Sequence, residues 1–101
     1  MSFRIVIREP AEHDMAEAAA WYATRLRRLG ARFILSIEAS LAQITRNPEA
    51  HTLCFERFRR ILVRRFPYGI FYLVESQRIV VLAVLHLHQN PRRIQKIVET
   101  G

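Results

Sequence analysis

The apolar positions at the start of the chain predict a strand followed by a helix. A period of two over residues 3–8 is typical of a strand, with Phe3, Ile5 and Ile7 set against Arg4, Val6 and Arg8. Glu9-Pro10 ends this strand, because proline fits the first turn of a helix. Apolar residues then recur at steps of three and four over 11–29, which predicts a helix with the stripe Ala11, Met15, Ala18, Tyr22, Leu26 and Leu29. Gly30 is predicted to end it, since glycine accepts a left-handed cap without steric cost.

A second apolar stripe follows Gly30 at once and predicts a second helix. Its members are spaced as one helix face requires: Phe33, Ile34, Ile37, Leu41 and Ile44. Asn47-Pro48 ends this helix, because the residue before a proline disfavours helical conformation. Two helices joined by so short a turn must fold back on each other, so we expect an antiparallel helical hairpin.

After residue 50 the apolar period changes to two. This pattern predicts three strands, near residues 56–65, 68–76 and 78–88. The connections are short, in the neighbourhood of Pro67-Tyr68-Gly69 and at Ser76-Gln77, so the strands form an antiparallel meander.

The last of these strands is apolar on both parities up to His86 and is therefore predicted to be central in the sheet. Strict alternation divides its side chains into two faces: Ile79, Val81, Ala83 and Leu85 on one, and Val80, Leu82 and Val84 on the other. Residues 91–98 are predicted to form a short helix.

Together these elements predict a single α+β domain over residues 1–101, in the order β-α-α-β-β-β with a short C-terminal helix. The helical hairpin is expected to pack on one face of a four-stranded sheet. The other face then has no helix layer of its own, and we expect the functional surface there.

Composition agrees with one compact intracellular domain. Half of the 101 residues are apolar, and no apolar run approaches the roughly 20 residues that a membrane-spanning helix needs. Cys54 is the one cysteine, so no internal disulfide can form and a reducing cytoplasm is predicted.

The net charge of +7 lies mostly in the second half of the chain. Residues 1–50 carry seven basic and six acidic side chains (+1), whereas residues 51–101 carry nine and three (+6). Such a half favours an acidic partner or a polyanion. Fifteen of the sixteen basic residues are arginine, which a coding bias explains equally well.

The sequence has no common enzyme signature, and we expect neither a cofactor nor a metal. Its three glycines are isolated, so no phosphate-binding loop is present. Cys54 has no cysteine nearby, and His86 and His88 have no neighbouring acid that would complete a zinc site.

The remaining candidates are the arginine-rich segment "FERFRRILVRRFPYGIFY" and the end of the last strand. Under one interpretation the arginine stems only cover apolar sheet while their guanidinium groups are solvated. Under the other, one groove binds a phosphate or carboxylate with Arg60, Arg64, His86 and His88. Trp21 lies off the main helix stripe and is expected to pack the hairpin against the sheet, or else to face a partner.

Three stretches, "EAAAWY", "RRFPYGIFY" and "AVLHLHQNP", together resemble the RelE/ParE superfamily of type II toxins, over about residues 3 to 95. The resemblance implies the β-α-α-β-β-β fold and one of two activities. RelE-like toxins cleave mRNA on the ribosome, and ParE-like toxins inhibit DNA gyrase.

The basic residues of the RelE-like nucleases are mostly absent at the corresponding positions. Arg60 is retained, whereas the other positions of that set hold Leu62, Gly69, Gln89 and Gln95. The resemblance therefore favours a ParE-like, non-enzymatic inhibitor of gyrase. The alternative is a ribosome-dependent endoribonuclease that uses Arg60, Arg64, His86 and His88, and a third possibility is a degenerate member that only binds partners.

In all three cases the resemblance implies a cognate antitoxin with an acidic segment, held in a toxin–antitoxin hetero-oligomer. We expect the residues that contact the antitoxin or the target to be Arg57, Arg59, Arg60, Arg64, Arg65, His88, Arg92 and Arg93.

Overall fold

A computed structural model describes residues 3–88 and 91–100 and shows two helices covering one face of a sheet. The elements in chain order are β1 (Arg4–Ile7), α1 (Glu9–Arg25), α2 (Arg27–Arg46), β2 (Thr52–Phe55), β3 (Phe58–Leu62), β4 (Tyr68–Glu75), β5 (Arg78–His86) and α3 (Pro91–Thr100). The predicted α+β class, the helical hairpin, the meander and the C-terminal helix are confirmed.

The helical hairpin turns at Leu26 and not at Gly30, so the predicted helix end is wrong. Leu26 alone separates α1 from α2, with an extended backbone (φ −158°, ψ 122°), and its N–H donates to Tyr22 O at 3.1 Å. Gly30 lies inside α2, where an added Cβ would be 2.8 Å from Ala19 O and 3.0 Å from Ala23 Cβ. The glycine is needed because α1 and α2 approach too closely for a side chain.

Within the described residues the sheet has five strands, one more than predicted. Its order is β1-β5-β4-β3-β2, with β1 parallel to β5 and the other neighbours antiparallel. β2 was not predicted, because a strand of four residues that pairs only with β3 gives too short a pattern. Glu56 and Arg57 form the turn into β3, with Glu56 at φ 46°, so β3 begins at Phe58.

β3 also ends earlier than predicted, at Leu62. Residues 63–67 turn the chain into β4, and Arg65 takes a left-handed φ of 71°. Arg64 and Arg65 therefore lie in a turn and not on a strand. The turn at Ser76-Gln77 lies where the pattern predicts it.

A bulge in β5 reverses the alternation of its second half. The β4–β5 register shifts between Phe71 and Tyr72, which makes Leu82 an extra residue in β5. The predicted faces are therefore wrong beyond this point: Val84 packs on the helix side, and Ala83 and Leu85 pack on the opposite side.

The larger part of the core lies between the helical hairpin and the sheet. Its fully buried side chains include Phe33, Ile37, Ile44, Ile70, Tyr72, Ile79 and Val81. Burying one such side chain stabilises the fold by about 1.5–3 kcal/mol. The Tyr72 hydroxyl donates to Pro48 O at 2.7 Å and so ties the segment after α2 to the sheet. Burial raises the pKa of Tyr72 to about 12, although Arg59 nearby acts to lower it.

The opposite face of the sheet is also apolar, and α3 covers part of it. Phe71, Ala83 and Leu85 are buried there against Ile94 of α3. A second buried group lies further along the same face and consists of Phe58, Leu73 and Val80. The prediction that this face lacks a helix is therefore wrong where α3 packs.

Candidate functional site

The arginines of β3 and its flanking turns do not share one surface. At one end of the sheet, Arg57 lies 3.9 Å and Arg78 2.8 Å from the carboxylate of Glu75. The hydrogen bond from Arg78 is the main reason that the pKa of Glu75 is below its ordinary value. Arg59 donates from Nη1 to His51 O at 2.7 Å and so supports the segment before β2.

Arg60 lies on the opposite face of the sheet, across Gly69. A Cβ added at Gly69 would be 3.2 Å from Arg60 Cγ and 3.1 Å from Leu87 Cδ2. Because Gly69 has no side chain, the aliphatic stem of Arg60 can lie over it. An arginine at position 69, as in the RelE-like nucleases, would have to displace both neighbours. Leu62, on the same face of β3, is 56% exposed.

The predicted groove of Arg60, Arg64, His86 and His88 is not formed. The bulge places His86 on the helix side, where its ring centroid is 5.2 Å from that of Tyr68. His88 is exposed, and its N–H donates to His86 Nδ1 at 3.1 Å. Arg60 lies on the other face, and Arg64 lies in the exposed turn.

The other two predicted binding residues, Arg92 and Arg93, lie on α3, and Arg93 forms an internal ion pair. Its Nη1 and Nη2 donate to Asp14 Oδ1 and Oδ2 at 2.7 Å and 3.2 Å. The Asp14 side chain is 5% exposed and also accepts a hydrogen bond from Val84 N–H at 3.1 Å. This Asp14–Arg93 clasp joins α1, β5 and α3, whereas Arg92 is exposed.

Sequence reasoning missed Asp14, although a signal was present. Asp14 lies between Ala11 and Ala18 in the buried stripe of α1. A carboxylate at a buried position is costly unless it is paired and hydrogen-bonded. The stripe thus indicates a partner for Asp14 but does not say which arginine it is.

A cleft of about 660 Å³ opens beside the clasp, between α1 and the end of β5. We call it the aromatic cleft; its rings are Trp21, Tyr22, Tyr68 and His86, and its charged groups are Asp14, Glu17 and Arg93. Burial raises the pKa of Tyr22 and of Tyr68, and Tyr22 and Glu17 raise the pKa of Tyr68 further. Both phenols are therefore neutral at physiological pH.

Trp21 stands at the rim of the aromatic cleft and is 50% exposed. The Arg25 guanidinium carbon lies 4.5 Å from the centroid of its ring. The expectation that Trp21 packs the hairpin against the sheet is therefore wrong, and its contact with a partner stays a prediction.

The part of the chain that the structure describes has no group of three or more His, Cys, Asp or Glu side chains placed to hold a metal ion. None of its helices is long and apolar enough to cross a membrane.

Comparisons with known proteins agree on one family. The family described as the ParE toxin of the type II toxin–antitoxin system parDE matches residues 5–91. The chain is similar to Toxin ParE2 of Mycobacterium tuberculosis, in strains CDC 1551 / Oshkosh and H37Rv, with 28% identity over 96 residues, covering 94% of this chain and 91% of that protein. A chain of the chromosomal ParDE system from P. aeruginosa shares the fold, with a TM-score of 0.75 and 13% identity over 85% of this chain and 97% of that one. The resemblance to the ParE-like branch is thereby confirmed, and the chain belongs to the family of ParE toxins of type II toxin–antitoxin systems.

Proposed function

We propose that this toxin arrests growth by binding and inhibiting DNA gyrase, and that it does not cleave RNA. The observation that carries the proposal is that the groups that would have to replace the absent nuclease residues do not lie in one place. Arg60 lies on one face of the sheet and His86 on the other, and Arg64 lies in a turn.

Cleavage of RNA without a metal needs several donors that converge on one phosphate, together with a group that moves the proton of the 2′-hydroxyl. Loss of one such donor typically reduces the rate by about 10²–10³-fold. Leu62 and Gly69 carry no charge, and the Arg60 stem occupies the space beside Gly69 where a side chain would lie. This arrangement supports a toxin that acts by binding.

Membership of the family implies an antitoxin partner. We propose that an acidic antitoxin segment covers a basic corner, defined by Arg60, Arg64, Arg65 and the exposed Leu62. The Arg60 stem runs over Gly69, which pairs with Leu62 where the turn begins. Three arginines and one exposed apolar residue thus lie at the same end of the sheet. The proposed target also places the toxin and its hetero-oligomer with the antitoxin in the cytoplasm.

The test of the target is a supercoiling assay with purified gyrase. We expect the toxin to inhibit supercoiling and to accumulate cleaved DNA complexes, and the cognate antitoxin to reverse both effects. Toeprinting on translating ribosomes should show no toxin-dependent mRNA cleavage. An inactive toxin in the gyrase assay, with clear cleavage in the toeprint, would establish the nuclease alternative, and harmless expression without antitoxin would indicate a degenerate binding module.

The test of the antitoxin surface is a double charge reversal, Arg60→Glu with Arg64→Glu. Because a rim ion pair contributes about 0.2–1 kcal/mol, two reversals should weaken the complex roughly tenfold or more. The matched control is Arg28→Glu with Arg32→Glu, which changes the net charge equally on exposed positions of α2. Equal affinities of the two double variants in a calorimetric titration would remove the basic corner from the interface.

A further inference from the structure

The walls of the aromatic cleft have the chemistry that attracts a cation. Trp21 and Tyr22 meet edge to face with centroids 5.0 Å apart, and Tyr68 and His86 do so at 5.2 Å. In an edge-to-face pair, the ring that offers its edge keeps both of its faces clear of that neighbour, although Tyr22 stacks one of its faces on Phe33 at 5.4 Å. The face of an aromatic ring carries negative potential and attracts ammonium and guanidinium groups.

The charges in the aromatic cleft also favour a cation. Arg93 is neutralised by Asp14 in the clasp, so Glu17 is the lining carboxylate that no lining arginine balances. His13 lies 3.5 Å from Glu17, but both side chains are about three-quarters exposed, which makes this a weak contact on the outer side of α1. On a protein of net charge +7, the lining residues of the cleft thus carry one net negative charge, from Glu17, while Arg25 lies outside the lining at the rim.

The protein already makes one such contact at the rim of the cleft. The guanidinium group of Arg25 lies over the Trp21 ring at 4.5 Å, although Trp21 is half exposed to water. A guanidinium–ring contact thus forms here between two residues of the surface. Inside the cleft the same contact would be better shielded from water, and its free energy would be larger.

We propose that the aromatic cleft binds an arginine or lysine side chain of the protein that the toxin inhibits. The claim that this side chain belongs to the inhibited protein rests on the proposed function, whereas the preference of the cleft for a cation does not. The cleft lies on the helix side of the sheet, whereas Arg60 and Leu62 of the basic corner lie on the opposite side. Arg64 and Arg65 lie in the turn between β3 and β4, which also contributes Pro67 to the cleft. Two surfaces of different charge allow the toxin to contact a cationic target segment and an acidic antitoxin segment separately.

The cation preference is tested through the fluorescence of Trp21, the one tryptophan of the chain. The purified toxin is titrated with N-acetyl-arginine methylamide and with its uncharged citrulline counterpart, which has nearly the same shape. We expect saturable binding of the arginine probe, roughly five- to tenfold tighter than that of the citrulline probe. Equal affinity for the two probes, or no saturable change with the arginine probe, would overturn the proposal.

The role of Glu17 is tested by Glu17→Gln, which keeps the shape of the side chain and removes its charge. An exposed ion pair predicts a loss of about two- to fivefold in affinity for the arginine probe and no change for the citrulline probe. Glu12→Gln, an exposed change on the same helix but outside the cleft, is the control and should bind both probes as the parent protein does. If Glu17→Gln and Glu12→Gln behave alike, Glu17 does not hold the cation and the proposal fails.

Glu17→Lys tests, in a gyrase assay and an antitoxin-binding assay, which protein supplies the cationic side chain. We expect inhibition of gyrase to be lost while the affinity for the antitoxin is retained. Loss of antitoxin affinity to the same extent would show that the antitoxin binds the cleft, and would overturn the proposal that the inhibited protein supplies the cation. If the parent toxin itself leaves gyrase active, the proposed function fails, and the probe titrations still decide whether the cleft binds cations.

Discussion

The helix side of the sheet is covered by α1 and α2, of 17 and 20 residues, whereas the opposite side is covered in part by α3, of 10 residues. Each side has a glycine at a close approach. Gly30 faces the backbone and a β-carbon of the neighbouring helix, but Gly69 faces the flexible stems of Arg60 and Leu87. Backbone atoms move aside less easily than the atoms of a flexible side chain, so we expect the helix side to be the more rigid of the two.

The largest expected effect comes from removing an aromatic ring on each side. Phe33 is fully buried and contacts the rings of Tyr22, Phe66 and Tyr68, so Phe33→Ala should lower the free energy of unfolding by about 3–5 kcal/mol. Phe58→Ala, on the opposite side, should cost less because its surroundings can close over the space. Urea denaturation of both variants measures the difference, and equal losses would show that the two sides are equally rigid.

The Asp14–Arg93 clasp links the two sides, since α3 packs on the opposite face while Asp14 lies on α1. Asp14→Ala leaves Val84 N–H without its acceptor and Arg93 without its partner, and should destabilise the protein by about 2–3 kcal/mol. Glu12→Ala, an exposed change on the same helix, should stay within about 0.5 kcal/mol. Hydrogen exchange should also show faster exchange in α3 for Asp14→Ala alone. Unchanged protection of α3 would mean that its apolar contacts suffice.

The two glycines test the rigidity of each side directly. Gly30→Ala brings a methyl group to 2.8 Å from Ala19 O and should cost about 1–3 kcal/mol, as overpacking usually does. In Gly69→Ala the added methyl group lies 3.1–3.3 Å from side-chain atoms of Leu87 and Arg60 only. This change should lower the free energy of unfolding by less than about 1 kcal/mol, because Arg60 can move aside. Thermal unfolding of both variants measures this order, and a reversed order would contradict the distinction between the two sides.

The smallest effect is expected at Tyr72. Tyr72→Phe removes the hydrogen bond to Pro48 O and should cost about 1 kcal/mol at neutral pH. Because the pKa of Tyr72 is raised to about 12 from an ordinary value of 10.0, the unfolded chain loses this proton first as the pH rises. The stability from this group is therefore present below pH 10 and is lost as the pH rises through 12. Urea denaturation at neutral and alkaline pH should show a smaller alkaline loss for Tyr72→Phe, and identical losses would contradict the assignment.

Periodicity predicted the fold because long elements repeat their signal. The stripes of α1 and α2 extend over several turns, and the apolar strands β4 and β5 have eight and nine residues. β2, with four residues, gives too little repetition to be recognised. Gly30 was assigned to a turn because the sequence does not distinguish a glycine that ends a helix from one at a helix crossing.

The candidate site was predicted less well, because it depends on which face each side chain joins. The proposed groove needed His86 and Arg60 on one face, and a single extra residue in β5 separates them. The ion pair between Asp14 and Arg93 joins residues 79 positions apart, and no local pattern encodes such a contact. The family was predicted correctly because it rests on stretches spread over the whole chain.

The bulge at Leu82 gives β5 a place at which its length can change without turning the strand over. Deleting Leu82 or Ala83 would make the strand regular and leave Val84 and His86 on the side they occupy now, whereas deleting Val84 or Leu85 would turn Ala83 to the helix side in a regular strand. Related toxins that are one residue shorter here would therefore keep the same surfaces if the gap in a sequence alignment falls at Leu82 or Ala83.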